Sequence, residues 1–359
     1  MARRMGARGG ALALCLALAL SLLGGCARQE EKSQRQIFAM DTVMTLTLYG
    51  EGAARGAEEI LDGSVQQIQW LEDFWSAVRP EGDVARVNAA GGAETEVAAP
   101  TASLLRQSLE LCAVTGGALD ITAYPAVKAW GFIDQEYRVP SQAELAELAG
   151  RIDYRQVSVD EGTRDGETVY TVTLPAGMEL DLGAVAKGRT ADLLAESLAA
   201  DGVSSALLDL GQSTIRAVGG KPDGSPWRIA VQDPAGTGYL GVLELADLAV
   251  GTSGGYQRYF EQDGVTYWHI LDPDTAAPAR SGLAAVTVVS PSALTCDALS
   301  TALFVLGLED GVQLWRDHPE LEFQALFITD EGELYLTQGL EDAFSLTEGY
   351  EDREVTVLS

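Results

Sequence analysis

The hydrophobic pattern of the chain changes its period within one stretch, Glu179–Leu194, which reads ELDLGAVAKGRTADLL. Met178–Leu182 alternates apolar and acidic residues, as half-buried strands do. From Ala184 onward, the inward positions follow a helical spacing, at Ala186, Thr190, Leu193, Leu194 and Leu198. We therefore predict a strand, a turn at Gly183 and a helix, with the bare glycine backbone allowing a ligand to come close at the turn.

Lys187 lies in the first turn of this predicted helix, where the helix dipole is positive and a cation is mildly unfavourable. Backbone N–H groups at a helix start, together with a lysine, can hold a phosphate group. The same residues also fit an ordinary strand–helix turn capped by Asp181, and the pattern leaves both interpretations open.

The rest of the chain shows helical and strand periods that interleave without strict alternation. Helices are predicted at Ala53–Trp75, Thr101–Thr115, Ser141–Ala149 and Ser292–Leu306. Strands are predicted at Ile37–Tyr49, Gln156–Val159, Val169–Leu174, Ser205–Leu210, Thr214–Val218, Trp227–Val231, Leu240–Glu244, Val265–Leu271 and Leu283–Val289. A tail, Leu321–Leu346, is predicted to hold a helix end and further strands. This order favours the α+β fold class.

The first 25 residues have the pattern of a signal peptide, with three arginines followed by the apolar run Ala11–Leu23. The run ends in Leu23-Gly24-Gly25-Cys26, which is similar to a bacterial lipobox and predicts lipidation of Cys26. Plain secretory cleavage beside an incidental cysteine is the alternative. We therefore predict a signal peptide over residues 1–25, a polar tether over 26–36 and one domain over 37–350. The protein would be anchored to a bacterial membrane on its extracytoplasmic side.

The charge of the chain limits its partners. Its 359 residues include 53 acidic and 24 basic ones, for a formal charge of −29. Nucleic-acid binding depends on Lys and Arg contacts to phosphates, so we predict no nucleic-acid partner. An anionic ligand would need local positive charge, from a metal ion or a few cationic side chains.

Two glycine-containing stretches are candidates for a binding site. Gly116–Pro125 (GGALDITAYP) holds a lone Asp120, which could face a ligand or only cap the next turn. Gly251–Tyr256 (GTSGGY) offers hydroxyl groups and backbone for an anion, or forms a simple hairpin turn.

Three side chains are candidates for catalysis or metal binding. His269 ends the strand pattern VTYWHIL and could take a proton from an attacking hydroxyl, although such a histidine is usually a core or surface residue. His318 is expected at the surface. Asp297 and Thr301 lie four residues apart, on one face of a predicted helix, and together suit a magnesium half-site. Asp297 would otherwise be a helix cap.

Taken in order, these stretches resemble the ApbE family of flavin transferases. The resemblance runs from Phe38 to Gly307. It rests on FAMDT, FWS followed by DVARVN, ALDITAYPAVKAWGF, LDLGAVAKG, Trp227–Pro234, GTSGGY, HILDP and CDALSTALFVLG. Each motif is weak by itself, whereas their shared order is specific.

The resemblance implies a two-lobed α+β domain with FAD between the lobes. The FAD contacts it implies are Met40, Ala118, Leu119, Asp120, Asp181 and Lys187. It places Mg²⁺ on the backbone carbonyl of Ala184 and the side chains of Asp297 and Thr301. His269 becomes the candidate base, with Asp297 as a second catalytic residue. Three places depart from the family pattern. Asp41 replaces the usual glycine, Leu119 stands where phenylalanine is common, and Thr275-Ala276 replaces the usual Thr-Gly after HILDP.

The resemblance also implies a reaction, the Mg²⁺-dependent transfer of FMN from FAD to a Thr or Ser hydroxyl of an acceptor flavoprotein, with release of AMP. The acceptors it implies are extracytoplasmic subunits of membrane electron-transfer complexes or secreted flavin reductases. Two alternatives stay open: an FAD pyrophosphatase that uses water, and a lipoprotein that binds FAD without catalysis. The Asp297–Thr301 pair counts against the second, because storage needs no catalytic metal.

Overall fold

A computed structural model of the chain describes residues 32–50, 56–236 and 238–359. Within these ranges helices and strands interleave, which confirms the α+β prediction. The helices are α1 (Ala57–Trp75), α2 (Asp83–Ala89), α3 (Ala99–Val114), α4 (Tyr124–Ala129), α5 (Gln142–Ala149), α6 (Ala186–Ala200) and α7 (Ala293–Asp317). The strands are β1 (Lys32–Ala39), β2 (Thr42–Tyr49), β3 (Thr95–Val97), β4 (Ser158–Arg164), β5 (Glu167–Thr173), β6 (Ala206–Asp209), β7 (Thr214–Val218), β8 (Trp227–Gln232), β9 (Tyr239–Leu245), β10 (Ala249–Gly254), β11 (Tyr259–Gln262), β12 (Val265–Trp268), β13 (Leu271–Asp272), β14 (Ala277–Pro278), β15 (Leu283–Ser290), β16 (Gln324–Thr329), β17 (Leu334–Thr337), β18 (Phe344–Leu346) and β19 (Val355–Leu358).

Nine strands form the central sheet, in the order β1-β2-β6-β7-β10-β15-β16-β17-β19. Neighbouring residues of β16 point to opposite faces of this sheet. Phe327 packs in a core that includes residues of α1, α6 and α7. Leu326 packs in a second core with Trp227 and Leu243, from the three-stranded sheet β18-β9-β8. The central sheet is therefore covered by helices on one face and by a small sheet on the other.

Two further apolar clusters lie outside these two cores. Leu105 and Val172 belong to a cluster built from α1, α2, α3 and the sheet β3-β5-β4. Trp130, Phe132 and Phe260 belong to another, between α4, α5 and the two-stranded ribbon β11–β12. The four clusters do not by themselves divide the domain into two lobes, so the two-lobed arrangement stays a prediction. No helix in the described ranges is long and apolar enough to cross a membrane.

The predicted start of the domain is wrong at two points. Lys32–Gln36, assigned to the tether, already pair with β2 as part of β1, and Ile37–Tyr49 is a two-stranded hairpin instead of one strand. The edge strand β1 is polar, so its sequence has no apolar period to reveal it. At the hairpin turn Met40 and Asp41 adopt φ values of 49° and 59° without a glycine. Residues 1–31 lie outside the described ranges, where the signal peptide and the remaining tether stay predictions.

The strand predicted at Met178–Leu182 is also wrong. Glu179 forms only an isolated bridge with Ala123. The backbone of Leu180 instead bonds to the side chain of Asn88, donating from N–H at 2.7 Å and accepting at its carbonyl oxygen at 3.0 Å. One side-chain amide therefore satisfies the backbone groups that a neighbouring strand would have satisfied.

Two further elements differ from the prediction. The last helix does not end at Leu306 but continues to Asp317, through a kink at Gly307 where φ is 84°. Strand β10 includes Gly251 and Gly254, although the stretch GTSGGY that contains them was predicted to form an anion-binding loop or a hairpin turn. A Cβ at position 251 would lie 2.5 Å from the backbone of Cys296, so a glycine in this strand lets α7 pack against it.

Candidate active site

One cavity of about 310 Å³ brings together ten residues that the sequence singled out. They are Met40, Ala118, Leu119, Asp120, Asp181, Ala184, Lys187, His269, Asp297 and Thr301. They come from the β1–β2 turn, the loop after α3, the segment entering α6, the segment after β12, and α7. The cavity is their shared location, while the role of each stays a prediction. Cys26 lies outside the described residues.

Asp181 and Lys187 flank the entry to α6. The Asp181 carboxylate accepts a 2.8 Å bond from the backbone N–H of Gly183, so this carboxylate caps the turn and also lines the cavity. Burial raises the pKa of Asp181, while the Gly183 bond and the charges of Arg258 and Lys187 oppose this effect. The side chain of Lys187 forms no ion pair or hydrogen bond within the described ranges. Its ammonium is therefore available to a ligand.

Asp120 shapes the loop after α3. Its carboxylate accepts bonds from the N–H and hydroxyl of Thr122, at 2.8 and 2.6 Å, and from the N–H of Tyr154 at 2.8 Å. Burial raises the pKa of Asp120, and these bonds oppose the increase. Asp120 is thus both the turn residue and a lining residue, so the two sequence interpretations are compatible.

Asp297 does not cap α7, because Ser292 holds that position and Asp192 accepts bonds from the N–H groups of Ala293 and Leu294. The Asp297 carboxylate instead accepts a 2.6 Å bond from the Thr214 hydroxyl and a 2.7 Å bond from the Gly188 N–H. The side chain is buried, which raises its pKa against the opposing effects of Lys187 and these two bonds.

The oxygen donors in the cavity fit Mg²⁺. Each carboxylate oxygen of Asp297 accepts one hydrogen bond and keeps a further lone pair. Thr301 and the backbone of Ala184 line the same cavity. No group of three or more His, Cys, Asp or Glu side chains in the described ranges could hold a metal ion. A set of one carboxylate, one hydroxyl and one carbonyl suits a hard cation that takes its other ligands from water and substrate phosphates.

His269 has a defined tautomer. Its Nδ1 lies 3.1 Å from the backbone carbonyl oxygen of Arg258. Because a carbonyl only accepts, Nδ1 carries the hydrogen and Nε2 of the neutral ring is free to take a proton. Burial lowers the pKa of His269 to about 4, the Arg258 carbonyl opposes this, and the charges of Arg258 and Lys187 lower it further. The imidazole is therefore neutral at pH 7 and ready to act as a base.

Arg258 is a cation of the cavity that the sequence reading missed. It lines the cavity, and its side chain forms no ion pair or hydrogen bond within the described ranges. Its only signal in the sequence is its place two residues after GTSGGY. Together with Lys187 it supplies the local positive charge that an anionic ligand of so acidic a chain requires.

The chain is similar to proteins of one family over most of its length. The model of the ApbE family matches residues 40–327. The FAD:protein FMN transferase of Treponema pallidum is 34% identical over 340 residues, which cover 92% of this chain and 93% of the relative. The enzyme of the same name from Vibrio cholerae is 30% identical, over 87% of this chain and 92% of the relative.

Two crystal structures share the fold. The ApbE protein of Thermotoga maritima superposes with a TM-score of 0.79 at 29% identity, covering 87% of this chain and 99% of that one. The apo form of the Pseudomonas stutzeri flavinyl transferase ApbE gives 0.76 at 31% identity, covering 89% and 98%. With the fold, the matched length and the motifs in agreement, this chain belongs to the ApbE family.

Proposed function

We propose that the chain is an FAD:protein FMN transferase, which moves FMN from FAD to a Thr or Ser hydroxyl of an acceptor flavoprotein and releases AMP. One observation carries the proposal. A single cavity combines two cations that have no ion-pair partner among the described residues, Lys187 and Arg258, with the oxygen donors of Asp297 and Thr301 and a neutral His269. The cations suit a pyrophosphate, and the histidine suits an incoming hydroxyl.

The proposed transfer is one displacement at phosphorus. The acceptor hydroxyl oxygen attacks the FMN-side phosphorus, a new P–O bond forms, and the P–O bond to AMP breaks. The hydroxyl proton moves to Nε2 of His269, and AMP leaves with the bridging oxygen. Lys187 and Arg258 hold the phosphates in place and reduce the charge repulsion that the attacking oxygen meets. Positioning and charge stabilisation of this kind are the main contributions that proteins make to phosphoryl-type transfer.

We include Mg²⁺ in the proposal, held by the Asp297 carboxylate, the Thr301 hydroxyl and the Ala184 carbonyl. When bound, the ion would neutralise charge on the pyrophosphate of FAD. The protein meanwhile orients its own ligands: Thr214 and Gly188 hold the Asp297 carboxylate, and the Thr301 hydroxyl lies 3.2 Å from the hydroxyl of Ser253.

The proposed location is the extracytoplasmic face of a bacterial membrane, with a lipid on Cys26. This part rests on the signal-like residues 1–25 and on Leu23-Gly24-Gly25-Cys26. Such a location brings the enzyme to the acceptors that we propose, extracytoplasmic flavoprotein subunits of membrane electron-transfer complexes or secreted flavin reductases.

The test uses the purified full chain in detergent, FAD, Mg²⁺ and a purified extracytoplasmic flavoprotein subunit from the native host. Flavin fluorescence that stays on the denatured acceptor, with one AMP released per flavin attached, supports transfer. Equal release of FMN and AMP with or without the acceptor would instead identify an FAD pyrophosphatase. FAD binding without any AMP under all metal conditions would identify a flavin carrier.

A further inference from the structure

A second cavity, of about 290 Å³, borders the first along the base of the ribbon β11–β12. Tyr256 and Trp268 line the second cavity, whereas the residues that follow them in the chain, Gln257 and His269, line the first. Successive Cα atoms are about 3.8 Å apart. The same short backbone segments therefore separate the two cavities. Arg258, which lines the first cavity, directly precedes β11 and accepts a hydrogen bond from the N–H of His269, so the start of β11 lies beside the candidate base.

The ribbon presents alternate residues to this second cavity. Phe260 and Tyr267 face away from it and join the apolar cluster of Trp130. The ribbon residues that line the cavity are Tyr259, Glu261, Thr266 and Trp268. Tyr259 is 48% exposed, so its ring offers apolar contact without being part of the core.

Strand β11 has a free edge on the same side. The ribbon is a two-stranded sheet, so within the described ranges no third strand pairs with it. The N–H of His269 donates to the Arg258 carbonyl at 3.1 Å, which makes these two residues a hydrogen-bonded pair. By the alternation of an antiparallel ladder, Tyr259 and Glu261 direct their backbone N–H and C=O groups outward. An extended polypeptide can add to such an edge through main-chain hydrogen bonds.

The outer edge of β12 is less accessible to a further strand than that of β11. The Arg280 guanidinium stacks on the Trp268 ring at 3.9 Å from its centroid and donates to the Thr266 carbonyl. Of the two strands, β11 is therefore the one that can accept a further strand.

The second cavity also carries unpaired negative charge. The carboxylates of Glu261 and Asp330 both line it, and neither side chain forms an ion pair or hydrogen bond within the described ranges. The nearby Arg280 is already engaged with Trp268 and Thr266. A ligand that brings a cationic side chain into this cavity would complement the two carboxylates.

We propose that the second cavity binds the acceptor polypeptide as an extended segment along β11, with a Lys or Arg side chain near Glu261 and Asp330 and the reacting hydroxyl at the His269 end. This inference rests on the proposed flavin transfer and adds the means by which the acceptor is selected. The position of β11 favours the acceptor over a second copy of the chain or a lipid, because a segment paired with this strand ends beside the Arg258–His269 pair, where the acceptor hydroxyl must react.

The experiment uses two short synthetic peptides with a single Thr, identical except that one carries Lys and the other Glu a few residues away. Each is incubated with the full chain, FAD and Mg²⁺, and the rate of FMN attachment is followed by mass. Glu261→Lys is compared with Glu94→Lys, an exposed glutamate outside both cavities that gives the same change of net charge. FAD titration of each variant reports whether the first cavity is intact.

For the unchanged protein we expect the Lys peptide to react faster than the Glu peptide by about three- to tenfold, the range of one or two partly exposed charge pairs. Glu261→Lys should abolish or invert this ratio, and Glu94→Lys should keep it. A ratio near one in the unchanged protein, or the same change in both variants, overturns the proposal. If neither peptide reacts while the acceptor protein is flavinylated, a short segment is not recognised and this proposal fails, although the transferase function stands.

Discussion

The backbone N–H of Gly188 donates a 2.7 Å hydrogen bond to the carboxylate of Asp297. The bond joins the residue next to Lys187 to the candidate metal ligand across 109 positions of the chain. A Cβ at position 188 would lie 2.3 Å from the carbonyl oxygen of Ala293. The distance between the lysine and the carboxylate is thus set by close backbone packing of α6 against α7, which only glycine allows.

Gly188→Ala should therefore lower the free energy of unfolding by about 1–3 kcal/mol, the usual cost of overpacking. It should also raise the Kd for FAD, because α7 must move away from Lys187 to make room. Urea denaturation and FAD titration measure the two effects.

Gly63→Ala is the matched control for this substitution. Gly63 is exposed in α1, and a Cβ there would meet no atom within 4 Å. Alanine at that position should stabilise the helix by roughly 0.5–1 kcal/mol. If Gly188→Ala is as stable as the unchanged protein and binds FAD equally well, the close packing does not set the spacing of the site.

Asp297 and Thr301 should differ in their effects on the metal requirement. Asp297→Ala removes a charged ligand and leaves the Thr214 hydroxyl and the Gly188 N–H without their acceptor. Thr301→Ala removes a neutral ligand. We expect the larger loss of activity and the larger increase in the Mg²⁺ concentration for half-maximal rate from Asp297→Ala. Thermal melting without Mg²⁺ separates lost stability from lost metal binding. Full activity of Asp297→Ala at unchanged Mg²⁺ dependence would contradict the assignment.

The sequence predicted those parts of the site that depend on short spacing. Lys187 at a helix start and the i, i+4 pair of Asp297 and Thr301 follow from local periods, and the structure places all three in one cavity. The Ala184 carbonyl leaves no mark on side-chain type, so it could come only from the resemblance. Arg258 was missed because its position depends on the ribbon that returns the chain to His269.

The errors in the fold have the same physical origin. The polar edge strand β1 pairs through its backbone, and hydrogen bonds between main-chain atoms need no apolar pattern. Strand β10 contains Gly251 because α7 packs against it at that position, whereas the local sequence alone suggests a turn. The segment around Leu180 alternates like a strand, yet the Asn88 side chain satisfies its backbone. In each case a distant contact decides the local structure.

His269→Ala should slow flavinylation of the acceptor by about 10²–10⁴-fold, the usual contribution of a general base. The Kd for FAD should change little, because the histidine is assigned to the incoming hydroxyl. Lys187→Ala should mainly weaken FAD binding. His318→Ala is the control, since this histidine pairs with Glu320 and does not line the cavity. A loss in His318→Ala equal to that in His269→Ala would contradict the role of His269.

Cys26→Ser should accumulate as an unprocessed precursor without lipid in the native host, because the proposed modification needs the thiol. Cys15→Ser lies within the predicted signal segment and removes a different thiol, so it should be processed normally. Metabolic labelling with a radioactive fatty acid and the mobility of the mature protein on a gel measure the outcome. Lipid incorporation into Cys26→Ser would exclude Cys26 as the anchor.

Arg258→Gln should change the pH dependence of the reaction through His269. Burial is the first cause that lowers the pKa of His269 to about 4, and the Arg258 carbonyl opposes it. The charge of the Arg258 side chain lowers the pKa further. Glutamine keeps the backbone carbonyl and removes only the charge, so the pKa should rise. A base acts when it is unprotonated, and kcat/KM therefore falls as pH drops through the pKa of the free enzyme.

The acid limb of kcat/KM for the acceptor should accordingly move to higher pH in Arg258→Gln, because a nearby positive charge that disfavours the protonated imidazole is lost. The Kd for FAD should rise at the same time, because a phosphate-binding cation is lost. Arg228→Gln is the control, since this exposed arginine of β8 does not line the cavity and should leave both the limb and the Kd unchanged. If Arg258→Gln weakens FAD binding but leaves the acid limb in place, Arg258 binds the substrate without acting on His269. If it changes neither, its side chain takes no part in the site.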